Sequence, residues 1–231
     1  MQMSKIEKFI QDIFFPNRCP FCDKFVRWDK LSCEECLIKL PFVDERVCPL
    51  CGKEQCICSK GLYYDKCYTV CFYEGIARDG IIALKTKNAI NAAEIFADFL
   101  SGKIACDEET YDMIIPVPMS NGKKAERGYN QAEEIAKFIS QRTKIPLNSN
   151  ILSKKGGNIE QHALNAEERA LNAKNEFFVK ENVNLNGKKI ILCDDVITTG
   201  NTLNECARLL KSLGALRIAC AVAATTSLKN E

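Results

Sequence analysis

The chain contains one histidine, one tryptophan and almost no net charge. With His162 alone, metal centres built on several histidines, zinc fingers of two cysteines and two histidines, and mechanisms needing two imidazoles are excluded. The 32 Lys and Arg against 30 Asp and Glu leave +2, so no bulk basic field exists to hold nucleic acid or an anionic membrane. No run reaches the roughly 18 apolar residues of a membrane-spanning helix, so no membrane insertion is expected. Charged residues Lys5, Glu7, Lys8 and Asp12 interrupt Met1 to Pro16, which argues against a signal peptide. A G-x4-G-K-[ST] P-loop and a G-x-G-x-x-G dinucleotide fingerprint are both missing. What is present fits a globular protein: 231 residues, 46% apolar and 27% charged, enough for one full domain and a smaller module.

The 14 cysteines are the compositional anomaly, and ten of them precede residue 72. A reducing, cytoplasmic setting is expected, where clustered thiols serve metals more often than disulfides. Cys19-x2-Cys22 and Cys33-x2-Cys36 form two knuckles able to present four thiolates tetrahedrally to zinc. Cys48-Pro-Leu-Cys51-Gly52 repeats the pattern, and Cys56 and Cys58 are the expected partners of a second structural zinc. Their one-residue spacing leaves Cys67 and Cys71 as competitors. Residues 1 to 71 hold 11 basic and 10 acidic residues, so two zinc ions on eight thiolates would leave the module at about −3. Phe21, Phe25, Trp28 and Phe42 lie among Lys24, Arg27, Lys30 and Lys39; they can stack on single-stranded bases or fill a zinc unit.

Periodicity divides the remainder. Ile6, Phe9, Ile10, Ile13 and Phe14 predict a short amphipathic helix, and residues 1–62 read as that helix plus the cysteine module. Residues 63–231 read as a second domain. Strands are predicted at Tyr63–Tyr73, Met113–Val117, Glu176–Val179, Ile190–Cys193 and Leu216–Ala224, with helices at Ala92–Leu100, Gln131–Ile139 and Leu203–Leu213. Alternating strands and helices imply an α/β domain with parallel strands and crossover helices.

Within it, Lys189-Ile-Ile-Leu-Cys-Asp194-Asp195-Val-Ile-Thr198-Thr199-Gly200-Asn201-Thr202 is a buried strand running into two acids and a Gly/Thr turn before a helix. Amides of Thr199 to Thr202 at the helix's positive end suit a phosphate, and Gly200 lets the backbone come close. The acids, repelled by that phosphate, suit sugar hydroxyls and a nearby metal-bound sugar. A phosphorylated ribose is the expected ligand. Cys193, Cys206 and Cys220 fall on apolar faces and read as small buried hydrophobes.

Asp194-Asp195-x-x-Thr-Thr-Gly-x-Thr resembles the phosphoribosyl-pyrophosphate (PRPP) motif of type I phosphoribosyltransferases. Adding the paired knuckles, Leu84-Lys85, Pro116-Val-Pro118, Arg127-Gly-Tyr-Asn130-Gln131, and Gln161 with Glu168-Arg169 and Asn172, the layout resembles the ComF family over nearly the full chain. The resemblance implies a type I phosphoribosyltransferase fold behind a double zinc ribbon, binding PRPP with Mg2+. It places Asp194 and Asp195 on the ribose hydroxyls, Thr198, Thr199, Gly200, Asn201 and Thr202 on the 5′-phosphate, and Lys85 at the pyrophosphate. Lys85, Arg127 and Arg169 are the cations suited to a departing anion. Gly156-Gly157 is a candidate cover, and His162 receives no role. The resemblance also implies a link to DNA uptake in natural transformation, with DNA-uptake proteins and single-stranded DNA as partners. A non-catalytic PRPP- or DNA-binding module and a nucleotide-salvage transferase are the alternatives.

Overall fold

The computed structural model describes residues 16–155, 176–179 and 183–227. The amphipathic segment at 5–15, Gly156-Gly157, Gln161, His162, Glu168, Arg169 and Asn172 lie outside them.

Four parallel strands form the central sheet: β1 (Lys66–Phe72), β2 (Met113–Pro116), β5 (Lys189–Ile197) and β6 (Arg217–Thr225), in the order β1-β6-β5-β2. Both faces are buried, which is why the middles of these strands, such as Ile190–Cys193 and Ile218–Ala224, are apolar runs rather than alternating. On one face Val70, Ile114, Ile191, Cys193, Ala219 and Ala221 meet helices α2 (Gly75–Thr86), α3 (Ile90–Ala105) and α5 (Gln131–Thr143). On the other, Cys67, Ile115, Ile190, Leu192, Cys220 and Val222 meet α6 (Asn201–Ser212) and Leu185. The two-residue alternation of a strand thus sorts neighbours such as Ile191 and Leu192 into two cores. Cys193, Cys206 and Cys220 are fully buried.

Two corrections concern the strands. Phe177–Val179 is not part of the parallel sheet: as β4 it pairs antiparallel with β3 (Leu152–Lys154), forming a separate two-stranded ribbon over the second core. Three residues carry no signal for the direction of their partner. Strand β5 also runs past the acids to Ile197, because β6 extends alongside and pairs Asp194 with Val222 and Ile197 with Thr225. Three helices were not anticipated: the short α1 (Glu34–Ile38) and α4 (Asn121–Arg127), and the longer α2, whose apolar residues from Ile76 to Leu84 carry Lys85 at their end.

The cysteine module lies against this body through specific contacts. Phe21 is buried edge-on to Phe96 of α3, with ring centroids 6.2 Å apart. A Cβ on Gly80 of α2 would sit 2.5 Å from that ring, so glycine is what lets the first knuckle approach. Among the described residues no helix is long and apolar enough to cross a membrane.

Candidate functional site

Strands β2 and β5 are neighbours, yet the chain leaving β2 leads to α5 on one face and the chain leaving β5 leads to α6 on the other. Their carboxyl ends therefore diverge and leave a crevice, the usual position of a ligand in an open α/β sheet. A cleft of about 240 Å³ lies there, lined by Val117 to Ser120 after β2, by Asp194 and Asp195 of β5, and by Lys85, Lys123, Arg127, Gln131, Lys154 and Thr202.

Lys85, in the last turn of α2, reaches Asp195 with Nζ 2.6 Å from Oδ2, and both side chains are largely shielded from water. Asp194 accepts the Asp195 N–H at 2.8 Å. Burial first, and the Asp195 charge second, push the Asp194 carboxyl well above the usual carboxylate range. The two acids thus share one wall, where Lys85 offsets Asp195 and burial disfavours the charged form of Asp194, while Lys123, Arg127 and Lys154 line the others.

The segment Arg127-Gly-Tyr-Asn-Gln131 acts as a clamp. Gly128 ends α4 in the left-handed conformation, at φ +82°. The Tyr129 hydroxyl donates to the Leu84 carbonyl, tying this turn to the helix that carries Lys85. Asn130 is buried: its Nδ2 donates to the Val117 carbonyl at 2.9 Å, and its Oδ1 caps α5 by accepting the Ala132 N–H at 3.1 Å. Arg127 donates to Gln131 Oε1 at 3.1 Å. Gln131 is 2% exposed and, among the described residues, its Nε2 has no hydrogen-bond partner, leaving a donor in the wall of the cleft.

Beside the cleft, Thr198, Thr199, Asn201 and Thr202 are exposed and Gly200, at φ +80°, is buried beneath them. Gly200 is the N-cap of α6 and no side chain caps that helix; the Asn201 N–H lies 3.4 Å from Thr199 Oγ1. The first amides of α6 have no acceptor within the helix and stand beside Asp194 and Asp195, an arrangement that suits an anion.

The eight expected metal ligands fall into two clusters, Cys19, Cys22, Cys33, Cys36 and Cys48, Cys51, Cys56, Cys58, with the sulfurs of each within 4.8 Å of one another. Four thiolates at about 2.3 Å from zinc stand about 3.8 Å apart at the corners of a tetrahedron. Cys22 and Cys33 sulfurs are 3.7 Å apart, and those of Cys48 and Cys58 are 3.8 Å apart. Burial would raise the Cys48 thiol, but amides of Cys51 and Leu50 outweigh it and hold it at about 7, while burial and its neighbouring thiols push Cys58 up. Such crowded thiols need a cation before all four can ionise, so both clusters fit structural zinc. Cys67 and Cys71 are buried in β1, outside both.

Residues 125–230 match the phosphoribosyl transferase domain family, and residues 10–69 match the double zinc ribbon domain family. The chain is 39% identical to Competence protein F of Haemophilus influenzae over 104 residues, 45% of each chain, so this match spans less than half of that relative. Over 206 residues, 80% of each chain, it is 26% identical to Competence protein ComFC of Bacillus subtilis. The chain belongs to the ComF family. The four-stranded parallel sheet flanked by helices is an α/β phosphoribosyltransferase fold, in keeping with the family match at 125–230. A second full-length relative of this ComF protein is DNA utilization protein YhgH of Escherichia coli, 27% identical over 87% of this chain and 86% of its own.

Of the residues read from the sequence, Lys85, Arg127, Asp194, Asp195 and Thr202 line one cleft, and Thr198, Thr199, Gly200 and Asn201 form the adjacent loop. Lys123, Lys154 and the anchoring roles of Tyr129 and Asn130 were not anticipated; the tyrosine and asparagine had a signal in the Arg-Gly-Tyr-Asn-Gln run, the lysines had none. The aromatic set divides. Phe21 is core, Phe42 lies edge-on to Phe99 at 4.9 Å, Trp28 is half-buried, and Phe25 is exposed beneath the Arg18 guanidinium. Lys24 pairs with Glu35 at 3.1 Å, Arg27 with Asp29, and Lys30 with Glu34 at 3.9 Å.

Proposed function

We propose that this ComF protein binds PRPP with Mg2+ in the cleft between β2 and β5. The observation that carries this is the convergence of two acids with different electrostatics, a lysine and the uncapped start of α6 on one crevice. The α6 amides and the hydroxyls of Thr198, Thr199 and Thr202 receive the 5′-phosphate, with Gly200 keeping the backbone low. Asp194 and Asp195 accept hydrogen bonds from the ribose 2′ and 3′ hydroxyls. The carboxyl oxygens of Asp194 and Asp195 suit Mg2+, which when bound would supply positive charge to the pyrophosphate and ribose oxygens.

Lys85 has two tasks. Without substrate it neutralises Asp195; with PRPP it turns toward the pyrophosphate as Asp195 engages the sugar. Lys123 and Arg127 offer further charge to the anion as its bond to the anomeric carbon breaks, in a site where fixed dipoles replace water. Arg169 is assigned to the same anion by family resemblance. The Gln131 Nε2 donor is available to a ligand oxygen or a bound water. Transfer of the phosphoribosyl group to a nucleophile is the chemistry this charge distribution favours.

The competence and DNA-utilization names of the relatives support a link to DNA uptake, and the clustered thiols support a cytoplasmic setting. A single-strand contact through Lys24 and Arg27 has less support, because each already faces a carboxylate.

Calorimetric titration of PRPP in the presence of Mg2+ tests the proposal. Wild-type protein should bind, and Asp195→Asn and Lys85→Ala should each weaken binding by tenfold or more, as expected for about 1.4 kcal/mol of lost interaction. Pyrophosphate release above the rate of spontaneous hydrolysis would establish turnover. Equal affinity in all three proteins would remove the cleft from consideration.

A further inference from the structure

The second cysteine cluster lies directly beneath the loop that receives the phosphate. Gly200 is buried at φ +80°, and a Cβ there would stand 2.8 Å from Ile57 Cδ1, 3.6 Å from the Tyr64 hydroxyl and 3.7 Å from Ile197 Cδ1. The underside of the loop therefore rests on Ile57, a residue between Cys56 and Cys58. The Ile57 N–H also points at Cys51 Sγ, 3.5 Å away. Its position is set by three of the four cysteines.

Other connections run from the same cluster to both ends of the loop. The Tyr64 hydroxyl donates to the Cys51 carbonyl at 3.1 Å, and the Tyr63 N–H donates to Asn204 Oδ1 at 2.8 Å. Asn204 in turn donates its N–H to the Gly200 carbonyl at 2.9 Å. Lys53, two residues after Cys51 and 5% exposed, donates through Nζ to Thr226 Oγ1, and the Thr226 N–H donates to the Ile197 carbonyl at 3.2 Å. Residue 197 before the loop and residues 200–204 after it are thus both tied to the metal knuckle.

We infer that Ile57 is a positioning residue for the phosphate loop, and that metal occupancy of the second cysteine cluster and PRPP binding are thermodynamically linked. The inference rests on assigning the loop to the sugar phosphate. Zinc closes the Cys48–Cys58 knuckle and fixes Ile57 under Gly200; without it the four thiols no longer hold one geometry, and the amides above lose their common aim. Linkage is reciprocal, so PRPP must retain the metal as strongly as the metal improves PRPP binding.

The test uses the full-length, zinc-loaded protein and a zinc-selective chromophoric chelator, with and without PRPP and Mg2+. At equilibrium with the chelator, one of the two zinc equivalents should be held roughly fivefold or more tightly when PRPP is present, the low end of ordinary coupling. Ile57→Ala should keep two zinc ions, bind PRPP more weakly by a similar factor and lose the protection, while Ile57→Val keeps most of it. Gly200→Ala should bind poorly, and adding Ile57→Ala should recover part of that loss because the 2.8 Å contact is gone. If PRPP binds the wild type and leaves both zinc affinities unchanged, the linkage is overturned while the cleft assignment stands. If Ile57→Ala binds PRPP like wild type, the positioning role is overturned as well. If PRPP does not bind the wild type at all, the cleft assignment and this inference fall together.

Discussion

Asn130 offers the sharpest test of how the site is assembled. Its side chain makes two buried hydrogen bonds that point opposite ways, one capping α5 and one holding the Val117 carbonyl at the mouth of β2. Asn130→Ala removes the cap, worth about 1 kcal/mol, and strands a buried carbonyl, at a further cost of about 1–3 kcal/mol. The expected loss is about 2–4 kcal/mol. For a chain of this size each kcal/mol lowers the melting temperature by roughly 2–4 °C, so a drop of roughly 5–15 °C is expected. Asn130→Ser restores a capping oxygen but not the Val117 bond and should recover about 1 kcal/mol of the loss. Asn130→Asp also caps, yet sets a carboxylate against a carbonyl oxygen and should melt below the serine variant. Differential scanning fluorimetry at saturating zinc reads all three. An alanine variant melting within about 2 °C of wild type, or a serine variant no better than alanine, would refute the assignment of both bonds.

Other consequences follow from the same structure. Asp194 has its carboxyl pushed up by burial and by Asp195, whereas an unfolded aspartate titrates near about 3.9. The native state then holds more protons than the unfolded one, so this residue costs stability increasingly as pH rises from about 4 through its folded pKa. Asp194→Asn keeps the Oδ1 acceptor for the Asp195 N–H and should melt higher than wild type at pH 8, with little difference near pH 4, while PRPP binding is lost. A lower melting temperature at pH 8 would show that the burial is fully compensated. Metal analysis should find two zinc ions per chain, one in Cys58→Ser, and two in both Cys67→Ala and Cys71→Ala; loss of zinc from either alanine variant would mean the second ligand set is wrong.

The sheet was legible because its strands are buried on both faces: Ile190 to Cys193 reads as an apolar run, Leu216 to Ala224 as one interrupted only by Arg217, and the intervening Leu203–Leu213 as a helix. The Asp194-to-Thr202 segment was legible because its chemistry is local, with acids, hydroxyls and glycine in one stretch. Elements held by distant contacts were not. Helix α4 is Asn-Gly-Lys-Lys-Ala-Glu-Arg, with no apolar period and no buried residue, and its end is set by Gly128. The β3–β4 ribbon is three residues per strand, too short for any pattern to fix its partner or direction. The Lys85–Asp195 pair and the unmet Gln131 donor join residues far apart in sequence, and they appear only when α2, α5 and β5 meet. The contact of Ile57 with Gly200 is of the same kind: nothing in Cys-Ile-Cys signals that its middle residue supports another domain's loop.

The central claim is that one crevice holds an esterified ribose by its phosphate and its diol. A crystal of the protein grown with PRPP and Mg2+ tests it most directly. The 5′-phosphate should lie within hydrogen-bond distance of the Thr199–Thr202 amides, with the Asp194 and Asp195 carboxylates on the two ribose hydroxyls and Lys85 turned from Asp195 to the pyrophosphate. Density for PRPP elsewhere, or an ordered Lys85–Asp195 pair with the cleft empty at saturating PRPP, would contradict it.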